Sequence, residues 1–164
     1  MTLPKILENT ANVAIILLVL ILGFFLVRNY LKSPPPENFI KTGEPLQIAS
    51  IDFSKSDHNL LVFLRHDCEF CKKSANFYQR LVRRASGDDR IQLIALFSEE
   101  TIANQVFLAD LRPTFQNALI VPFVEIRVNA TPTILDIDRT GVVRSVWKGK
   151  LSEEREQEFM AALK

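Results

Sequence analysis

The segment that most constrains this 164-residue chain is an apolar run near its amino terminus. Residues 9–27 carry no charge, and 15 of the 17 residues at 11–27 are hydrophobic. A helix of that length extends for about 28 Å, which is close to the hydrocarbon thickness of a bilayer. The run has no polar stripe, which disfavours an amphipathic surface helix. We therefore predict a single transmembrane helix at residues 11–30, preceded by a short flank at residues 1–10.

Two other interpretations of the apolar run are weaker. A cleaved signal peptide would end in small residues, whereas this run is followed by Arg28, Asn29 and Tyr30. A buried core helix would need packing partners on all sides at the end of a small domain. Without residues 11–27, 63 of the remaining 147 residues are hydrophobic, which is ordinary for a soluble domain. The high hydrophobic content of the whole chain therefore comes from the predicted anchor.

The rest of the chain is predicted to be a linker followed by one domain. Three consecutive prolines at 34–36 favour an extended polyproline II conformation, so residues 31–37 are interpreted as a semi-rigid spacer. Residues 38–164 are interpreted as a globular domain. Positive groups are slightly more numerous on the carboxyl side of the apolar run than on its amino side. By the positive-inside rule, this small excess favours a cytoplasmic domain.

Composition excludes several classes of protein. The net charge is +1, which excludes a strongly basic nucleic-acid binder. Two cysteines are too few for a disulfide-rich scaffold or for a four-cysteine metal site. The sequence has no phosphate-binding loop, no dinucleotide-binding glycine motif and no zinc-protease motif, so no nucleotide, flavin or haem is expected.

Within the domain, strand and helix patterns alternate. Continuous apolar runs predict buried strands, and apolar residues at helical spacing predict helices. The predicted strands are residues 46–53 (a short edge strand), 60–64, 91–97, 118–121, 133–137 and 142–147. The predicted helices are residues 69–85, 101–111 (with Ile102, Val106 and Ala109 on one side) and 152–163. This order predicts an α/β fold in which helices flank a mixed β-sheet.

Both cysteines of the chain, Cys68 and Cys71, lie where a predicted strand meets a predicted helix. Unpaired N–H groups at a helix N-terminus stabilise a thiolate, so this position favours a reactive Cys68. Cys71 lies one turn further on the same face, within reach for a disulfide. Such a pair can cycle between dithiol and disulfide, because Cys68 attacks a substrate disulfide and Cys71 resolves the mixed disulfide.

Two alternatives use the same cysteines. One is a purely structural disulfide, although closing so short a loop gives little stability. The other is a metal site, for which His66 is the nearest additional ligand and His58 is the only other histidine. For His66 itself, an exposed loop position is the simplest interpretation.

A second signal, the segment NATPT at residues 129–133, follows about 60 residues after the cysteines. With the segments LLVFLRHDCEFCKK, IQLIALF and ILDIDRTGVVRSVWKG, it resembles the thioredoxin-fold thiol–disulfide oxidoreductases. Within them it is similar to the membrane-anchored TlpA/ResA-like group. The resemblance covers about residues 38–164 and implies a thioredoxin-like fold for them.

The resemblance also implies roles for individual residues. Cys68 would be the exposed nucleophile and Cys71 the resolving cysteine, joined as a redox-active disulfide with no other cofactor and no metal. Pro132 would be a cis-proline beside that disulfide, presenting the backbone of Thr131 to an extended substrate. The residues expected to contact the substrate are Thr131, Pro132, Glu69 and Phe70.

Three positions depart from the pattern of the family. Asp67 precedes the first cysteine, where many relatives have Trp, and Phe70 precedes the second, where many have Pro. Val62 replaces the buried acid that thioredoxin itself carries, so proton transfer at Cys71 must use another group or water. Charges of both signs flank Cys68, so the sequence leaves open whether the protein is a reductant or an oxidant.

Together these features predict a membrane-anchored thiol–disulfide oxidoreductase. Its partners would be protein thiol or disulfide substrates, an electron-donor thiol protein and, through residues 11–30, the lipid bilayer. The resemblance favours a reductant in extracytoplasmic protein or cytochrome maturation, with the domain on the periplasmic side, against the weak charge bias. The alternatives are a metallochaperone that uses both cysteines and a redox-inert interaction domain. The roles of His66, Glu99 and Glu100 stay open.

Overall fold

A computed structural model describes residues 15–25, 28, 39–110, 115 and 117–163. The chain divides into two units, Met1–Asn38 and Phe39–Lys164. In the first unit, residues 15–25 and 28 are helical, and the large apolar side chains of residues 15–25 are exposed. No helix within the described residues is both long and apolar enough to cross a membrane. The remaining residues of the predicted anchor, the flank at 1–10 and the linker at 31–37 lie outside the described residues.

In the described part of the second unit, five strands form a mixed sheet with the order β3-β2-β1-β4-β5. The strands are β1 (His58–Phe63), β2 (Ile91–Phe97), β3 (Asn117–Ile120), β4 (Thr133–Ile137) and β5 (Val143–Lys148). β1 is parallel to β2, and β2 is parallel to β3, whereas β4 is antiparallel to both β1 and β5. The side chains at 60–64 have no exposed surface. β1 is therefore a central strand buried on both faces, as its continuous apolar sequence predicts.

The helices described in the second unit are α1 (Glu69–Lys73), α2 (Ala75–Ser86), α3 (Ile102–Asp110) and α4 (Glu153–Ala162). A single helix was expected at 69–85, but two form, because the helix is interrupted at Ser74. The Ser74 N–H donates to the carbonyl oxygens of Phe70 (3.1 Å) and Cys71 (3.2 Å), and the Ser74 hydroxyl donates to Phe70 O at 2.8 Å. A polar side chain that bonds to the preceding turn commonly bends a helix in this way.

The edge strand predicted at residues 46–53 does not form, and that prediction is wrong. Pro45 makes an isolated antiparallel bridge with Val142. The chain then turns, with the Ile51 N–H donating to the Ile48 carbonyl at 2.9 Å, and ends in a short 3₁₀ helix at Phe53–Lys55. The alternating apolar side chains of this segment are buried. Their spacing therefore reflects the packing of a folded segment on the sheet and not pairing with a neighbouring strand.

The buried side of α3 also differs from the prediction. Ile102 and Val106 are 80% and 54% exposed, whereas Asn104 and Phe107 are buried. Phe107 has more apolar surface to bury than Val106. The polar Asn104 is tolerated inside because its amide oxygen and amide nitrogen both make hydrogen bonds to other segments.

Apolar side chains form two clusters, one on each face of the sheet. The first cluster joins Val62 and neighbouring strand residues to α2, to α4 and to Phe107 of α3, and it includes Cys71. Phe159 of α4 packs edge-on against Phe77 and Trp147, with ring centroids 5.6 and 5.4 Å apart. The second cluster packs the opposite face of β1 against segments at 39–53 and 121–128. Alternate residues of β1 thus anchor the two sides of the unit.

Asn59 stabilises the start of β1, and its loss is expected to destabilise the second unit. Its side chain is fully buried, and Nδ2 lies 2.9 Å from Phe53 O, 3.1 Å from Ser56 O and 3.2 Å from Ile137 O. In Asn59→Ala these buried carbonyl groups lose a donor, which should lower the free energy of unfolding by about 2 kcal/mol. Chemical denaturation measures the change. The exposed Asn76 of α2 supplies the control, and equal stability of Asn59→Ala and Asn76→Ala would contradict the prediction.

Candidate active site

A tight turn after β1 positions Cys68 at the start of α1. The Cys68 N–H donates to Arg65 O at 3.3 Å, which closes a turn over His66 and Asp67. Cys68 is the N-cap residue of α1, and its Sγ accepts a hydrogen bond from the Cys71 N–H at 3.0 Å. One of the otherwise unpaired amides of the helix start is therefore directed at the sulfur. The same bond stabilises negative charge on that sulfur when it is a thiolate.

The two cysteines differ in exposure. Their sulfur atoms are joined as a disulfide, with the Cα atoms 5.2 Å apart. Cys68 is half-buried, whereas Cys71 is completely buried in the first cluster. A partner protein can approach the sulfur of Cys68 and not that of Cys71. An attacking and a resolving cysteine need this difference.

The loop before β4 lies against the disulfide. Cys68 Sγ is 3.3 Å from the carbonyl oxygen of Thr131, 63 positions further along the chain, so the reduced thiol can donate to it. The Thr131–Pro132 peptide bond is cis, the isomer that the resemblance implies, and Pro132 is buried. The structure therefore brings Cys68, Cys71, Thr131 and Pro132 together.

A cavity of about 260 Å³ opens beside this contact. Its lining includes Thr131 and Ala130, together with apolar and polar side chains from three other segments. The other lining residues are Arg65, Ser98, Phe123, Val128 and Asn129. Thr131 therefore both contacts the sulfur of Cys68 and lines this cavity.

The two residues between the cysteines are both on the surface. Phe70 is 56% exposed, an unusual position for a phenyl ring. Glu69 pairs with Lys73 one turn along α1, with Oε1 and Nζ 2.7 Å apart. The hydrogen bond from Lys73 lowers the pKa of Glu69 below its ordinary value. Contact of Glu69 and Phe70 with a substrate stays a prediction.

Arg65 and Asp67 also form an ion pair, across the turn that precedes Cys68. The guanidinium binds the carboxylate in a bidentate manner, with Nε–Oδ1 at 3.0 Å and Nη2–Oδ2 at 2.6 Å. These bonds lower the pKa of Asp67 below its ordinary value. The acidic residues on either side of Cys68, Asp67 and Glu69, are therefore each paired with a basic side chain.

The surroundings of Cys71 are apolar. Val62, at the position where thioredoxin has a buried acid, has no exposed surface and belongs to the same cluster. A nearby polar group of the cluster is the phenol of Tyr78, and burial raises the pKa of Tyr78, so the phenol stays protonated. Burial in this cluster favours the neutral thiol of Cys71.

Asn104 is a residue of the site that the sequence analysis missed. Its Oδ1 accepts from the His66 backbone N–H at 3.2 Å and lies 3.1 Å from His66 Nδ1. His66 is therefore half-buried and held by α3, whereas an exposed loop position was expected. The signal in the sequence that could have indicated this role is the spacing of Asn104 and Phe107. Residues three apart lie on the same side of a helix, so Asn104 shares the buried side with Phe107.

The structure also bears on the alternative of a metal site. No group of three or more His, Cys, Asp or Glu side chains that could hold a metal ion is present among the residues described. His66 has its Nδ1 bound to Asn104, and the two cysteines are bonded to each other.

Several solved structures are similar to this chain. A protein assigned as the thiol:disulfide interchange protein DsbE from Chlorobium tepidum has a TM-score of 0.61 and 20% identity, over 76% of this chain and 99% of that one. A thiol-disulfide isomerase from Corynebacterium glutamicum has a TM-score of 0.57 and 18% identity, over 80% and 96%. StoA from Bacillus subtilis has a TM-score of 0.53 and 20% identity, over 65% and 84%. The fold is thioredoxin-like.

This finding confirms the predicted fold of the second unit, a mixed sheet flanked by helices. About one residue in five is identical between this chain and each of these structures, so the similarity shows the fold alone. No protein-family model matches the sequence, and no curated protein matches it.

The unequal exposure of the cysteines predicts selective labelling. In the reduced chain, iodoacetamide should modify Cys68 at least about tenfold faster than Cys71, because only Cys68 combines access with an amide that stabilises its thiolate. Mass spectrometry of peptides from a time course measures both rates. Unfolding the protein before labelling is the control and should bring the two rates together. Equal rates in the folded chain would contradict the prediction.

Proposed function

We propose that this chain is a thiol–disulfide oxidoreductase that exchanges disulfides with protein substrates through Cys68 and Cys71. The observation that carries the proposal is that the half-buried Cys68 has a sulfur that accepts a hydrogen bond from the Cys71 N–H and lies against Thr131 O. Accessibility and thiolate stabilisation at one sulfur are what disulfide exchange requires. Neighbours of the fold that are named as a thiol:disulfide interchange protein and a thiol-disulfide isomerase support it.

The reaction needs no group beyond the two cysteines and a substrate disulfide. The Cys68 thiolate attacks one sulfur of that disulfide, forming a mixed disulfide while the other substrate sulfur leaves as a thiolate and takes up a proton. Cys71 then loses its proton and attacks Cys68 Sγ, which releases the second substrate thiol. Two electrons pass to the substrate, and the Cys68–Cys71 disulfide remains. A second thiol protein, the electron donor, reduces this disulfide by the same steps in reverse.

The proposed substrate site is the surface around Cys68. An extended substrate segment would lie along the backbone of Thr131, next to Pro132 and the cavity lined by Arg65 and Phe123. Backbone groups supply affinity in such strand-like recognition, and side-chain pockets add specificity. Phe70 and Glu69, both exposed between the two cysteines, are the other residues proposed to contact the substrate.

The proposed direction of transfer is reduction of substrates. A strong oxidant has a reduced form that is stabilised by its environment. Around Cys68 the described support for the thiolate is one backbone amide. The neighbouring ion pairs Arg65–Asp67 and Lys73–Glu69 each contribute little net charge. This modest stabilisation, together with the family resemblance, favours a reductant in extracytoplasmic protein or cytochrome maturation.

The proposed location is a membrane, through an anchor at residues 11–30. The charge-free sequence of 9–27 supports the anchor, and so do the exposed apolar side chains of the helical residues 15–25. A folded domain attached to such an anchor can lie on either side of the bilayer. We assign it to the periplasmic side on the strength of the resemblance.

Trapping of substrates tests the oxidoreductase proposal. Cys71→Ser removes the resolving sulfur, so reduced Cys68 should accumulate mixed disulfides with oxidised substrate proteins. The full-length variant is reduced, freed of reductant and incubated with oxidised extract. Non-reducing gels and mass spectrometry then identify the complexes.

The matched control is Cys68→Ser, which retains only the buried Cys71 and should trap at least about tenfold less. Absence of dithiothreitol-sensitive complexes with Cys71→Ser would refute the proposed exchange. If complexes form only when the variant starts oxidised and the substrates reduced, the protein is an oxidant.

Membrane insertion and its direction form a separate test. The full-length chain should stay in the membrane fraction after an alkaline wash, and alkaline phosphatase fused after Lys164 should be active because its folding requires an oxidising compartment. Replacing Leu18 and Leu22 by Arg should release the protein, because each charge at the helix centre costs about 3 kcal/mol. Replacing the same residues by Ala is the control. An inactive fusion that stays in the membrane fraction would place the domain in the cytoplasm.

A further inference from the structure

The cavity of about 260 Å³ beside Thr131 adjoins the reactive sulfur. Thr131 lines it, and the carbonyl oxygen of the same residue lies 3.3 Å from Cys68 Sγ. Arg65 also lines it, and the Arg65 carbonyl accepts the Cys68 N–H at 3.3 Å. An extended chain advances about 3.3 Å per residue. The residues within two positions of a substrate cysteine that is bonded to Cys68 therefore pass this cavity.

The volume of the cavity suits one side chain of a substrate. Sites that hold complete small-molecule ligands usually measure about 300–1,000 Å³, and this space is smaller. Its lining residues belong to the turn after β1, the residue after β2 and the segment 123–131. Within that segment the Val128 N–H donates to Phe123 O at 3.0 Å. The lining is thus held by the fold before a substrate binds, which lowers the entropic cost of binding.

An aromatic ring with a defined position contributes to the lining. Phe123 packs edge-on against the buried Phe63, with ring centroids 5.1 Å apart and an angle of 72° between the rings. Phe123 is only half-buried, so part of it is left for another contact. Val128 and Ala130 add apolar residues to the same lining. Two aromatic rings in contact gain free energy beyond that of the area they bury. This lining therefore favours an aromatic guest.

The charge on the lining is positive. Arg65 is the charged residue among the described residues that line the cavity, and the others are neutral. Its guanidinium is paired with Asp67, which is outside the lining. A guanidinium attracts the face of an aromatic ring and repels a cationic side chain. A carboxylate would lose water against Phe123 and Val128 while the guanidinium is already bound to Asp67. The charge therefore favours a neutral aromatic side chain as well.

We propose that this cavity selects substrates that carry an aromatic residue within two positions of the reacting cysteine. The aromatic side chain occupies the cavity beside Phe123 and Arg65, while the substrate backbone lies along Thr131. Phe123 and Arg65 are specificity-determining residues in this arrangement. The inference rests on the proposed function, because it concerns which substrate disulfides Cys68 attacks fastest.

Reduction of a set of peptide disulfides tests the proposal. Each substrate is the symmetric disulfide of the peptide Gly-X-Cys-X-Gly or of the peptide X-Gly-Cys-Gly-X, in which X is Phe, cyclohexylalanine, Ala or Lys. The reduced full-length chain passes two electrons to each disulfide, which yields two peptide thiols and the Cys68–Cys71 disulfide. Mass spectrometry of acid-quenched samples measures the second-order rate constant. Reduction of the same peptides by dithiothreitol corrects for their intrinsic reactivity.

In at least one of the two peptide series, the Phe peptide should react about tenfold faster than the Ala peptide, because it adds apolar burial, ring packing and a cation–π contact. It should also react about threefold faster than the cyclohexylalanine peptide, which has a similar shape without an aromatic ring. The Lys peptide should react more slowly than the Ala peptide. Equal rates for Phe and cyclohexylalanine in both series would overturn the aromatic preference.

The peptide set also separates this inference from the proposed function. Equal corrected rates for all peptides would overturn the selection by the cavity and leave the proposed oxidoreductase standing. If dithiothreitol reduces every peptide and the reduced chain reduces none, the proposed function fails and the inference fails with it.

A variant of Phe123 tests the contribution of the ring. Phe123→Leu retains an apolar side chain and should remove most of the advantage of Phe over cyclohexylalanine, because the ring packing is lost. The matched control is Val124→Ala, since Val124 is the next residue, is 81% exposed and is outside the lining. The control should keep the preference of the unsubstituted chain. An equal loss in both variants, or no loss in Phe123→Leu, would contradict the assignment to this cavity.

A double variant tests the charge of Arg65. Arg65→Gln combined with Asp67→Asn removes the cation without leaving an unpaired carboxylate, and Asp67→Asn alone is the control that retains the cation. The ratio of the Lys-peptide rate to the Ala-peptide rate should rise about threefold in the double variant relative to the control. A change in the reactivity of Cys68 itself affects both peptides equally and cancels in this ratio. An unchanged ratio would refute the role of Arg65 in selection.

Discussion

The burial of β1 on both faces is the constraint on which the rest of the unit depends. Its side chains alternate between the two apolar clusters, and it pairs with β2 on one side and β4 on the other. Because this strand cannot slide without moving apolar side chains to the wrong face, its carboxyl end is a stable reference point. The turn to Cys68, the helix α1 and the loop before β4 all meet at that end.

The chemistry of the site follows from how the chain leaves β1. Cys68 caps α1 with its sulfur, where most helices use an oxygen, so the amide of Cys71 serves both helix initiation and thiolate stabilisation. The same helix carries Cys71 inward, into an apolar cluster that disfavours its ionisation. One turn of helix thus separates an accessible, stabilised sulfur from a protected one. The paired charges of Arg65, Asp67, Glu69 and Lys73 leave this difference largely to the backbone.

The local sequence pattern was sufficient to predict many helices and strands. It failed where packing between distant segments determined the structure. The apolar runs of β1 and β2 and the helix that starts after Cys68 were predictable, because burial on both faces and helix initiation leave strong signals in neighbouring residues. Residues 46–53 alternate like a strand, but the bridge found beside them is a single one, between Pro45 and Val142. In α3 the apolar Ile102 is exposed and Asn104 is buried. Which side of α3 is buried depends on the hydrogen-bond partners of Asn104 at His66 and Glu99. The periodicity of α3 itself does not reveal these partners.

The sequence by itself determined the apolar run near the amino terminus, the central strand and the placement of both cysteines at a helix start. Each of these depends on residues that are continuous in the sequence, so its pattern is visible in the chain. The tertiary structure alone decided that Thr131 lies against Cys68, that Cys71 is completely buried and that Asn104 holds His66. Each of these joins segments tens of residues apart. The physical reason is that such contacts are set by sheet pairing and by the packing of helices on the sheet.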